Sequence, residues 1–593
     1  MKPWKKTDIM RANKQKMDFN PVPKQNGPAD LLLINPDFSK NELGMDSPPE
    51  NHLGLNRIAG YLDKKGYTCS VIDTTGRKSG TSGPEELGDW LKSHAQEYHT
   101  IGFHSNSWNI NHILRALSRA QSELKDKKLL FGGPLANSEP RKILELLIKN
   151  GLRRVGVVQG LGEKITDEIL QKEKLTDVHG LWAYDDGHQK DGEKVALTQE
   201  EYEATPFLDL KYNTFYQQYY RPVMEAQDLG KYGMEIIFGS QGLDVNRGCP
   251  FNCTYCSVPQ YERRLIMYSP KRIVDELEYL AREAGFFMFT FTNSNIMFYD
   301  EAWITEFCRE IIGRGMNDYI NWTAYHHPIT LAELPTSIYH LMRKAGSDTI
   351  VFGVQSFEEK ILKTFLRPFN TPELTKTIRE KSKEAGQELT IDYITGVPGE
   401  DPDVIEKAFR YFADEDIECR NYQLKFYPNT KLPTMHLDLS DHDLVPITGD
   451  LAPELSAYAV VSKAPDKRAA ELDGFIRKSN ARIVKNRPPR LGKYVIRTPE
   501  EAREIYEKEI PANSNIPDKV KTAMRLALRE MLNPKKREET LEAMNPMEMM
   551  KKVILSGDDA PPMVKAMKEK LRNELGEEKF QELRAKYEQA DLN

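Results

Sequence analysis

Three closely spaced cysteines lie near the middle of the sequence. Residues 249–256 read Cys249-Pro250-Phe251-Asn252-Cys253-Thr254-Tyr255-Cys256, a C-x3-C-x2-C pattern. Cysteine thiolates at such short spacings hold iron–sulfur clusters, usually through four ligands. The remaining cysteines, at positions 69, 308 and 419, are far away in the sequence. A [4Fe–4S] cluster held by these three thiolates would keep one iron open to bind a small molecule.

Structural zinc is the alternative reading of the three cysteines. Zinc in structural sites takes four ligands, and no histidine is close to this stretch in the sequence. Six cysteines in 593 residues do not suggest a disulfide framework. A reducing cytoplasm therefore fits the composition, and an oxygen-labile cluster would require one.

Length and composition limit the class of protein. A chain of 593 residues predicts about three domains. The net charge of −6 gives no indication of nucleic-acid binding. No apolar run approaches the ~20 residues of a membrane helix, and the basic N-terminus lacks the apolar stretch of a signal peptide. We expect neither a membrane span nor a nucleic-acid partner.

Residues 29–174 alternate between short apolar runs and amphipathic helical segments. Alternation of this kind predicts a doubly wound parallel sheet, which binds ligands at the carboxyl ends of its strands. The predicted strands are 31–34, 71–72, 100–103, 129–131 and 155–158. Residues 175–233 are interpreted as a connector that contains a small hairpin, with strands near 181–184 and 195–197.

Small or polar residues follow the predicted strands of this first domain. No G-x-G-x-x-G motif follows the first strand, so a nicotinamide dinucleotide is not expected. Glycine lets a backbone approach a ligand closely. The candidate ligand-contacting residues are Asn35, Asp73, Thr74, Ser105, Ser107, Gly132, Gly133, Gln159 and Gly160.

Residues 234–460 form a second repeat of strands and helices. This repeat predicts a partial (β/α)6 barrel whose chemistry lies at the C-terminal ends of its strands. After the segment that leads into the cysteines, the predicted strands are 287–291, 320–324, 349–354, 389–393 and 422–426. Residues 1–28 are interpreted as a tail, and residues 461–593 as a mainly helical C-terminal domain.

The cysteine spacing and the barrel together resemble the radical SAM superfamily. The resemblance implies that Cys249, Cys253 and Cys256 hold a [4Fe–4S] cluster whose open iron binds S-adenosylmethionine (SAM). At position 355, where many relatives carry glutamate, this sequence has glutamine, and it lacks the acidic residues that often follow the second strand. The SAM-contacting residues that the resemblance implies are Tyr255, Asn293, Asn295, Gln355, Ser356, Arg367, Ile394 and Gly396.

The first domain resembles the cobalamin-binding domain that precedes the barrel in B12-dependent members of this superfamily. The resemblance rests on Pro48-Pro49, Gly132-Gly133-Pro134 and Gly160-Leu161-Gly162-Glu163. It implies that the strand-end residues named above contact cobalamin. The D-x-H-x-x-G motif is absent, so we expect a corrinoid without a histidine ligand from the protein, and we interpret His104 as a packed or hydrogen-bonded residue.

This resemblance implies a cobalamin-dependent methyltransferase that moves a methyl group from SAM, through methylcobalamin, to an unactivated carbon. The substrate would be a peptide, a protein side chain or a natural product, and a flavodoxin or ferredoxin would supply electrons. Tyr325, His326 and His327 are the candidate catalytic residues, because they follow a barrel strand.

Methyl transfer has three alternatives. One is a B12-dependent ring contraction, cyclisation or carbon–carbon coupling, and another is a corrinoid- or cluster-binding sensor without turnover. A methylthiotransferase is rejected because it needs three more cysteines in the first domain, where only Cys69 is present.

Overall fold

The computed structural model describes most of the chain up to residue 531 and a few positions beyond it. Asn293, Asn295 and the Pro48-Pro49 pair lie outside the described residues, as does most of the predicted N-terminal tail. The described residues are 19–25, 27–36, 38, 52–75, 83–227, 239–258, 263–291, 300–428, 430–435, 437–447, 451–463, 467–531, 555, 572, 577, 580–582 and 584–585.

The first domain is built on a seven-stranded sheet. Its first five strands are parallel and lie in the order β2-β1-β3-β4-β5, which is the order of a doubly wound sheet. The predicted fold class of this domain is confirmed. The strands are β1 (Ala29–Asn35), β2 (Cys69–Asp73), β3 (Tyr98–His104), β4 (Lys128–Gly132), β5 (Arg154–Val157), β6 (Trp182–Asp185) and β7 (His188–Lys190).

In the described part of the first domain, seven helices flank this sheet, and their apolar residues fill the core on both faces. Helix α1 begins at His52, whose ring Nδ1 accepts a hydrogen bond from the backbone N–H of Leu55 at 3.2 Å. The helices are α1 (Leu53–Asp63), α2 (Pro84–His94), α3 (Ile110–Arg119), α4 (Gln121–Leu124), α5 (Pro134–Ser138), α6 (Pro140–Lys149) and α7 (Gly162–Gln171).

The predicted hairpin of the connector differs from the structure in one strand. Strands β6 and β7 form it, and β6 pairs antiparallel with β5, so the hairpin extends the sheet of the first domain. The strand predicted at 195–197 is wrong. Val195 makes only an isolated bridge with Gly160, because the chain crosses the end of β5 there. Helices α8 (Gln199–Glu203) and α9 (Arg221–Ala226) follow.

The second domain is an open barrel of six parallel strands. The order is β15-β14-β13-β12-β11-β8, so neighbours follow the chain and the two edges do not close. The predicted partial (β/α)6 barrel is confirmed. Its strands are β8 (Ser240–Leu243), β11 (Met288–Phe291), β12 (Asn321–His326), β13 (Ser347–Gln355), β14 (Glu388–Thr395) and β15 (Glu418–Gln423), and a short ribbon of β9 (Asn246–Arg247) and β10 (Ile266–Met267) follows β8.

Helices cover the outside of the barrel and bury one large apolar core. Ser269 caps the first of them by accepting a hydrogen bond from the Arg272 N–H at 3.2 Å, and Pro270 occupies the first turn, where proline is favoured. The helices are α10 (Pro270–Ala284), α11 (Glu301–Gly313), α12 (Pro328–Glu333), α13 (Thr336–Lys344), α14 (Glu359–Thr364), α15 (Pro372–Glu384) and α16 (Pro402–Asp414).

The final barrel strand lies earlier than predicted. It spans Glu418–Gln423, whereas the apolar residues near 424–426 belong to another sheet, so the predicted strand 422–426 is wrong. Leu424 and Phe426 are buried in a separate apolar cluster. That sheet contains β16 (Lys425–Phe426), β17 (His442–Pro446) and β18 (Tyr458–Ser462).

A long helix covers the open edge of the barrel at β15. The Asn480 side chain accepts a hydrogen bond from the Cys419 N–H at 3.0 Å and donates one to the Cys419 carbonyl at 2.7 Å. These bonds satisfy backbone groups that an edge strand would otherwise expose. The last described elements are α17 (Lys467–Asn486), β19 (Arg490–Leu491), β20 (Tyr494–Val495), α18 (Pro499–Glu504), α19 (Ile510–Ala512) and α20 (Asp518–Met531).

A buried ion network joins the two domains. Arg57 on α1 contacts Asp244, just after β8, and Glu276 on α10, in both cases at 2.8 Å. Burial acts to raise the pKa of Asp244, but the guanidinium groups of Arg57 and Arg247 outweigh it and lower that pKa. Because each charged group has a partner, the junction positions the first domain against the segment that leads into the cysteines.

Candidate functional site

The cysteine loop is held against the fourth and sixth strand segments of the barrel. The Thr254 hydroxyl donates to the Thr364 carbonyl at 2.8 Å, and the Leu432 N–H donates to the Thr254 carbonyl at 2.9 Å. Cys249 and Cys253 are buried, and Cys256 is partly exposed. These contacts anchor the loop through Thr254 and do not use the three cysteine sulfur atoms, which are therefore available as ligands.

The protein environment by itself favours neutral thiols at Cys249 and Cys256. Burial raises the pKa of Cys249, and it raises the pKa of Cys256 to about 12. Metal ligation requires thiolates, so a site of this kind needs positive charge nearby. In the described part of the chain, no three His, Cys, Asp or Glu side chains are arranged to hold a metal ion. A four-iron cluster differs from a single ion because it spreads its thiolates over separate irons.

Arg367 supplies the positive charge beside the loop. Its Nη1 lies 3.6 Å from the Cys253 sulfur and 3.3 Å from the Tyr255 hydroxyl oxygen. Only 1% of the residue is exposed, and its Nε and Nη2 have no hydrogen-bond partner among the described residues. A buried guanidinium with unused donors fits an anionic group, such as a cluster held by thiolates or the carboxylate of an amino acid.

The end of β13 has an unusual backbone. Gln355 adopts a φ of 68°, a left-handed conformation rare outside glycine, and the register with β14 shifts at this point. Asn370 supports the bend by donating from Nδ2 to the carbonyls of Gly353 and Val354, at 2.9 and 2.7 Å. The neighbouring Ser356 is buried and accepts a hydrogen bond from the Glu358 N–H at 3.0 Å. Strained residues of this kind cluster at ligand sites.

The turn after β14 is organised by a carboxylate. Glu400 accepts hydrogen bonds from the backbone N–H groups of Gly396 and Val397, at 2.8 and 3.2 Å. Burial raises the pKa of Glu400 to about 7, although these two N–H groups oppose the rise. Gly396 has a φ of 77°, and Ile394 precedes it on the strand in a half-buried position. Glu400 thus fixes the predicted SAM-contacting turn without being predicted itself.

The predicted catalytic residues take different positions at the end of β12. Burial lowers the pKa of both His326 and His327 to about 3, so both rings stay neutral at physiological pH. The His327 ring stacks on Phe251 of the cysteine loop, with centroids 3.7 Å apart and planes 4° apart. Tyr325 instead lies under the guanidinium of Arg420, 5.1 Å from its ring centroid, and Arg420 pairs with Asp392.

A cavity of about 500 Å³ lies between the two domains. One wall is formed by the carboxyl ends of β1, β3 and β4, where the strand order reverses between β1 and β3. Such switch points are the usual ligand sites of doubly wound sheets. The barrel-side wall is formed by Asp244, Asn246, Arg247 and Gly248, and Gly248 directly precedes Cys249. The segment that lines the cavity therefore continues directly into the cysteine loop.

The predicted ligand-contacting residues of the first domain divide into two groups. Asn35, Asp73, Gly132, Gly133 and Gly160 line the cavity. The other four make contacts within the fold instead. The side chains of Thr74, Ser105 and Gln159 donate to backbone carbonyls, and the carbonyl of Ser107 accepts a bond from the Ala457 N–H.

The structure adds lining residues that are not among the predicted ligand-contacting residues. His52, Thr75, Asn137, Glu163 and Arg247 all line the cavity. Arg247 pairs with Glu163 at 3.2 Å across the domain junction. His52 and Asn137 follow no strand, and Arg247 belongs to the other domain, so a search of strand ends in the first domain does not reach them.

Comparisons with known proteins agree with this architecture. Residues 243–412 match the radical SAM superfamily and form the radical SAM domain of this chain. The match confirms the resemblance to this superfamily that the sequence predicts. A solved radical SAM methyltransferase, TsrM from Kitasatospora setae, with cobalamin and a [4Fe–4S] cluster bound, superposes with a TM-score of 0.58 at 16% identity. That match covers 86% of this chain and all of the other, and it shows a shared fold.

Two curated relatives are similar in sequence. The anaerobic magnesium-protoporphyrin IX monomethyl ester cyclase of Cereibacter sphaeroides is 28% identical over 181 residues, which are 30% of this chain and 29% of that protein. The chain thus spans less than a third of that relative. Cytidylyl-2-hydroxyethylphosphonate methyltransferase of Streptomyces wedmorensis is 21% identical over 66% of this chain and 78% of that protein. In the described residues, no helix is long and apolar enough to span a membrane.

Proposed function

We propose that this chain is a cobalamin-dependent radical SAM methyltransferase that methylates an unactivated carbon of a peptide, protein or natural-product substrate. The observation that supports the proposal most directly is the interdomain cavity, because its barrel-side wall runs straight into Cys249. A ligand in the cavity and a cluster on the cysteine loop would be neighbours. When bound, the cluster and SAM supply radical chemistry, and the corrinoid supplies a transferable methyl group.

The residues on the barrel side have distinct roles in this proposal. Cys249, Cys253 and Cys256 would hold the [4Fe–4S] cluster. Arg367 would offset the negative charge of the cluster and bind the carboxylate of SAM. Tyr255, Gln355, Ser356, Ile394 and Gly396 would hold SAM, together with Asn293 and Asn295. The fit rests on the unused donors of buried Arg367 and on the bent backbone at Gln355.

The residues of the first domain would hold cobalamin. Gly132 and Gly133 let the backbone approach a large planar ligand, since a side chain at Gly132 would point into open space and thus toward such a ligand. Asn35 and Asp73 provide polar contacts at the switch point, and Asp73 Oδ2 has no hydrogen-bond partner among the described residues. Gly160 is needed for a different reason, because a Cβ there would meet the Val195 carbonyl.

Tyr325 is the predicted catalytic residue that we assign to the substrate side. It lies half-buried on β12, in contact with the Arg420–Asp392 pair. Burial raises the pKa of Tyr325, so the phenol keeps its proton and can donate a hydrogen bond. His327 is assigned to support of the cysteine loop, through its stack on Phe251. His326 is buried at the end of β12. A flavodoxin or ferredoxin is the proposed electron donor.

The experiment is an anoxic incubation of the cobalamin-loaded protein with SAM carrying a trideuterated methyl group and a reductant. Mass spectrometry then follows the label and 5′-deoxyadenosine. Labelled methylcobalamin together with 5′-deoxyadenosine supports the methyltransferase. Formation of 5′-deoxyadenosine without label on the corrinoid supports a cyclisation or coupling enzyme, which the cyclase relative favours. Absence of both products supports a binding protein without turnover.

A further inference from the structure

A polar chain at the switch point fixes the proton positions of one histidine. Asp73 Oδ1 accepts a hydrogen bond from the backbone N–H of Thr75 at 3.0 Å, so this oxygen acts as an acceptor. Asn35 Nδ2 lies 3.0 Å from the same oxygen and 3.1 Å from the Thr75 hydroxyl, and it is therefore the donor. The remaining amide oxygen of Asn35 must then accept.

That amide oxygen lies 3.1 Å from His104 Nδ1. Since Asn35 accepts, Nδ1 carries the ring proton, and Nε2 is left with its lone pair. The structure shows no hydrogen-bond partner for Nε2 among the described residues, and His104 lines the cavity. Gly133 gives the ring its space, because a Cβ at that position would lie 2.6 Å from His104 Cδ2.

The second histidine of the cavity has the opposite arrangement. His52 Nδ1 accepts the N–H of Leu55 as the cap of α1, which leaves the proton of the neutral ring on Nε2. The two rings meet edge to face, with centroids 4.2 Å apart. Among the described residues that line the cavity, only His104 therefore presents an imidazole lone pair. Metal-ligating histidines donate their other ring N–H to an acceptor that fixes the tautomer and the ring orientation. The Asn35 amide oxygen, 3.1 Å from Nδ1, is such an acceptor for His104.

We infer that His104, through Nε2, is a protein ligand to the cobalt of a corrinoid held in the interdomain cavity, with Asn35 and Asp73 as positioning residues. This inference rests on the proposed function. It assigns a histidine ligand outside any D-x-H-x-x-G motif, and so revises the sequence-based expectation of a corrinoid without one. The aspartate of a D-x-H-x-x-G motif is not needed, because Asn35 on a neighbouring strand supplies the acceptor for the Nδ1 proton of His104.

The test uses electron paramagnetic resonance of the full-length protein loaded with unlabelled cobalamin and reduced to the Co(II) state. An axial ¹⁴N ligand splits the cobalt lines into triplets, and a ¹⁵N ligand splits them into doublets. Protein produced with [¹⁵N]histidine therefore separates a protein ligand from the cobalamin's own base. We expect doublets in the labelled protein, their loss in His104→Leu, and their retention in His52→Asn, where asparagine keeps the helix cap.

The role of Asn35 in positioning the His104 ring predicts a further effect, which can be measured without turnover. Asn35→Leu removes the acceptor for Nδ1, and we expect it to weaken cobalamin binding by about tenfold or more. Triplets that persist in the labelled protein, unsplit lines, or doublets that survive His104→Leu would each overturn the ligand assignment while leaving the proposed function in place. Failure of the wild-type protein to retain cobalamin would overturn both.

Discussion

Arg367 Nη1 lies 3.6 Å from the sulfur of Cys253, inside the protein and on the face of the loop that also carries Tyr255. No carboxylate among the described residues forms an ion pair with this guanidinium. An isolated buried cation is costly unless a ligand compensates for it. This relationship makes Arg367 a buried cation with unused donors beside the cysteines, which fits the proposed binding of an anionic group there.

Replacement of Arg367 by methionine should therefore weaken SAM binding. Loss of charge-assisted hydrogen bonds costs about 1.5–3 kcal/mol, which corresponds to roughly tenfold to a hundredfold in affinity. Equilibrium dialysis with the anoxic, iron-loaded protein measures the dissociation constant. Arg410→Met, on an exposed helix surface, is the control. An unchanged constant in Arg367→Met would show that the guanidinium does not contact SAM.

His327 should support the loop through its ring and not through proton transfer. The stack on Phe251 needs a flat side chain, and the low pKa makes the imidazole a weak base. We expect His327→Phe to retain iron and SAM cleavage within about twofold, and His327→Ala to lose several-fold more iron during gel filtration. The exposed His340→Ala is the control. If His327→Phe abolished SAM cleavage with its iron intact, a proton-transfer role would be restored.

Glu400 should make stability depend on pH near neutrality. Its pKa in the folded protein is raised to about 7 from 4.5, so the folded state binds the proton more tightly than the unfolded chain. The resulting stabilisation is complete below pH 4.5 and is lost as the pH rises through about 7. Partial exposure reduces the effect to the order of 2 kcal/mol.

The measurement for Glu400 is urea unfolding of wild type and Glu400→Gln between about pH 5 and about pH 8. Wild type should lose stability relative to the variant as the pH rises. The exposed Glu333→Gln should follow wild type at every pH. A difference between wild type and Glu400→Gln that stays constant over this range would contradict the assigned pKa.

Arg57 should be essential to the domain junction. Removal of the guanidinium leaves the carboxylates of Asp244 and Glu276 buried and without their partner, a change that costs about 3–5 kcal/mol. Arg57→Met should therefore lower the free energy of unfolding by that amount. Arg119→Met, which removes an exposed pair with Asp89, should cost less than about 1 kcal/mol. Equal effects of the two substitutions would show that the junction does not depend on this network.

The sequence predicted the strands of both domains well where apolar runs coincide with buried strands. The prediction failed where an apolar run is not a strand, and where a strand is not an apolar run. Val195 is apolar but pairs for one residue only, as a bridge across Gly160. The last barrel strand was placed too late because it contains Glu418, Arg420 and Asn421, and these polar residues conceal a strand whose buried side is marked by Cys419.

Contacts between distant residues account for most of what the sequence could not indicate at the site. Arg57 and Asp244 are separated by 187 positions, and the two residues carry no shared motif. The tautomer of His104 follows from Asn35 and Asp73, which lie on two other strands. The cysteine loop differs because all its ligands lie within eight residues, and its pattern is therefore visible in the sequence.

The central claim is that one chain holds a cluster on Cys249, Cys253 and Cys256 and a corrinoid in the adjoining cavity. The most direct test is to quantify iron, sulfide and corrinoid per chain after anoxic purification from cells grown with cobalamin. We expect about four irons and about one corrinoid per wild-type chain, and corrinoid without iron when the three cysteines are replaced by alanine. Four irons without corrinoid would contradict the account, and would leave a radical SAM domain beside a first domain of another role.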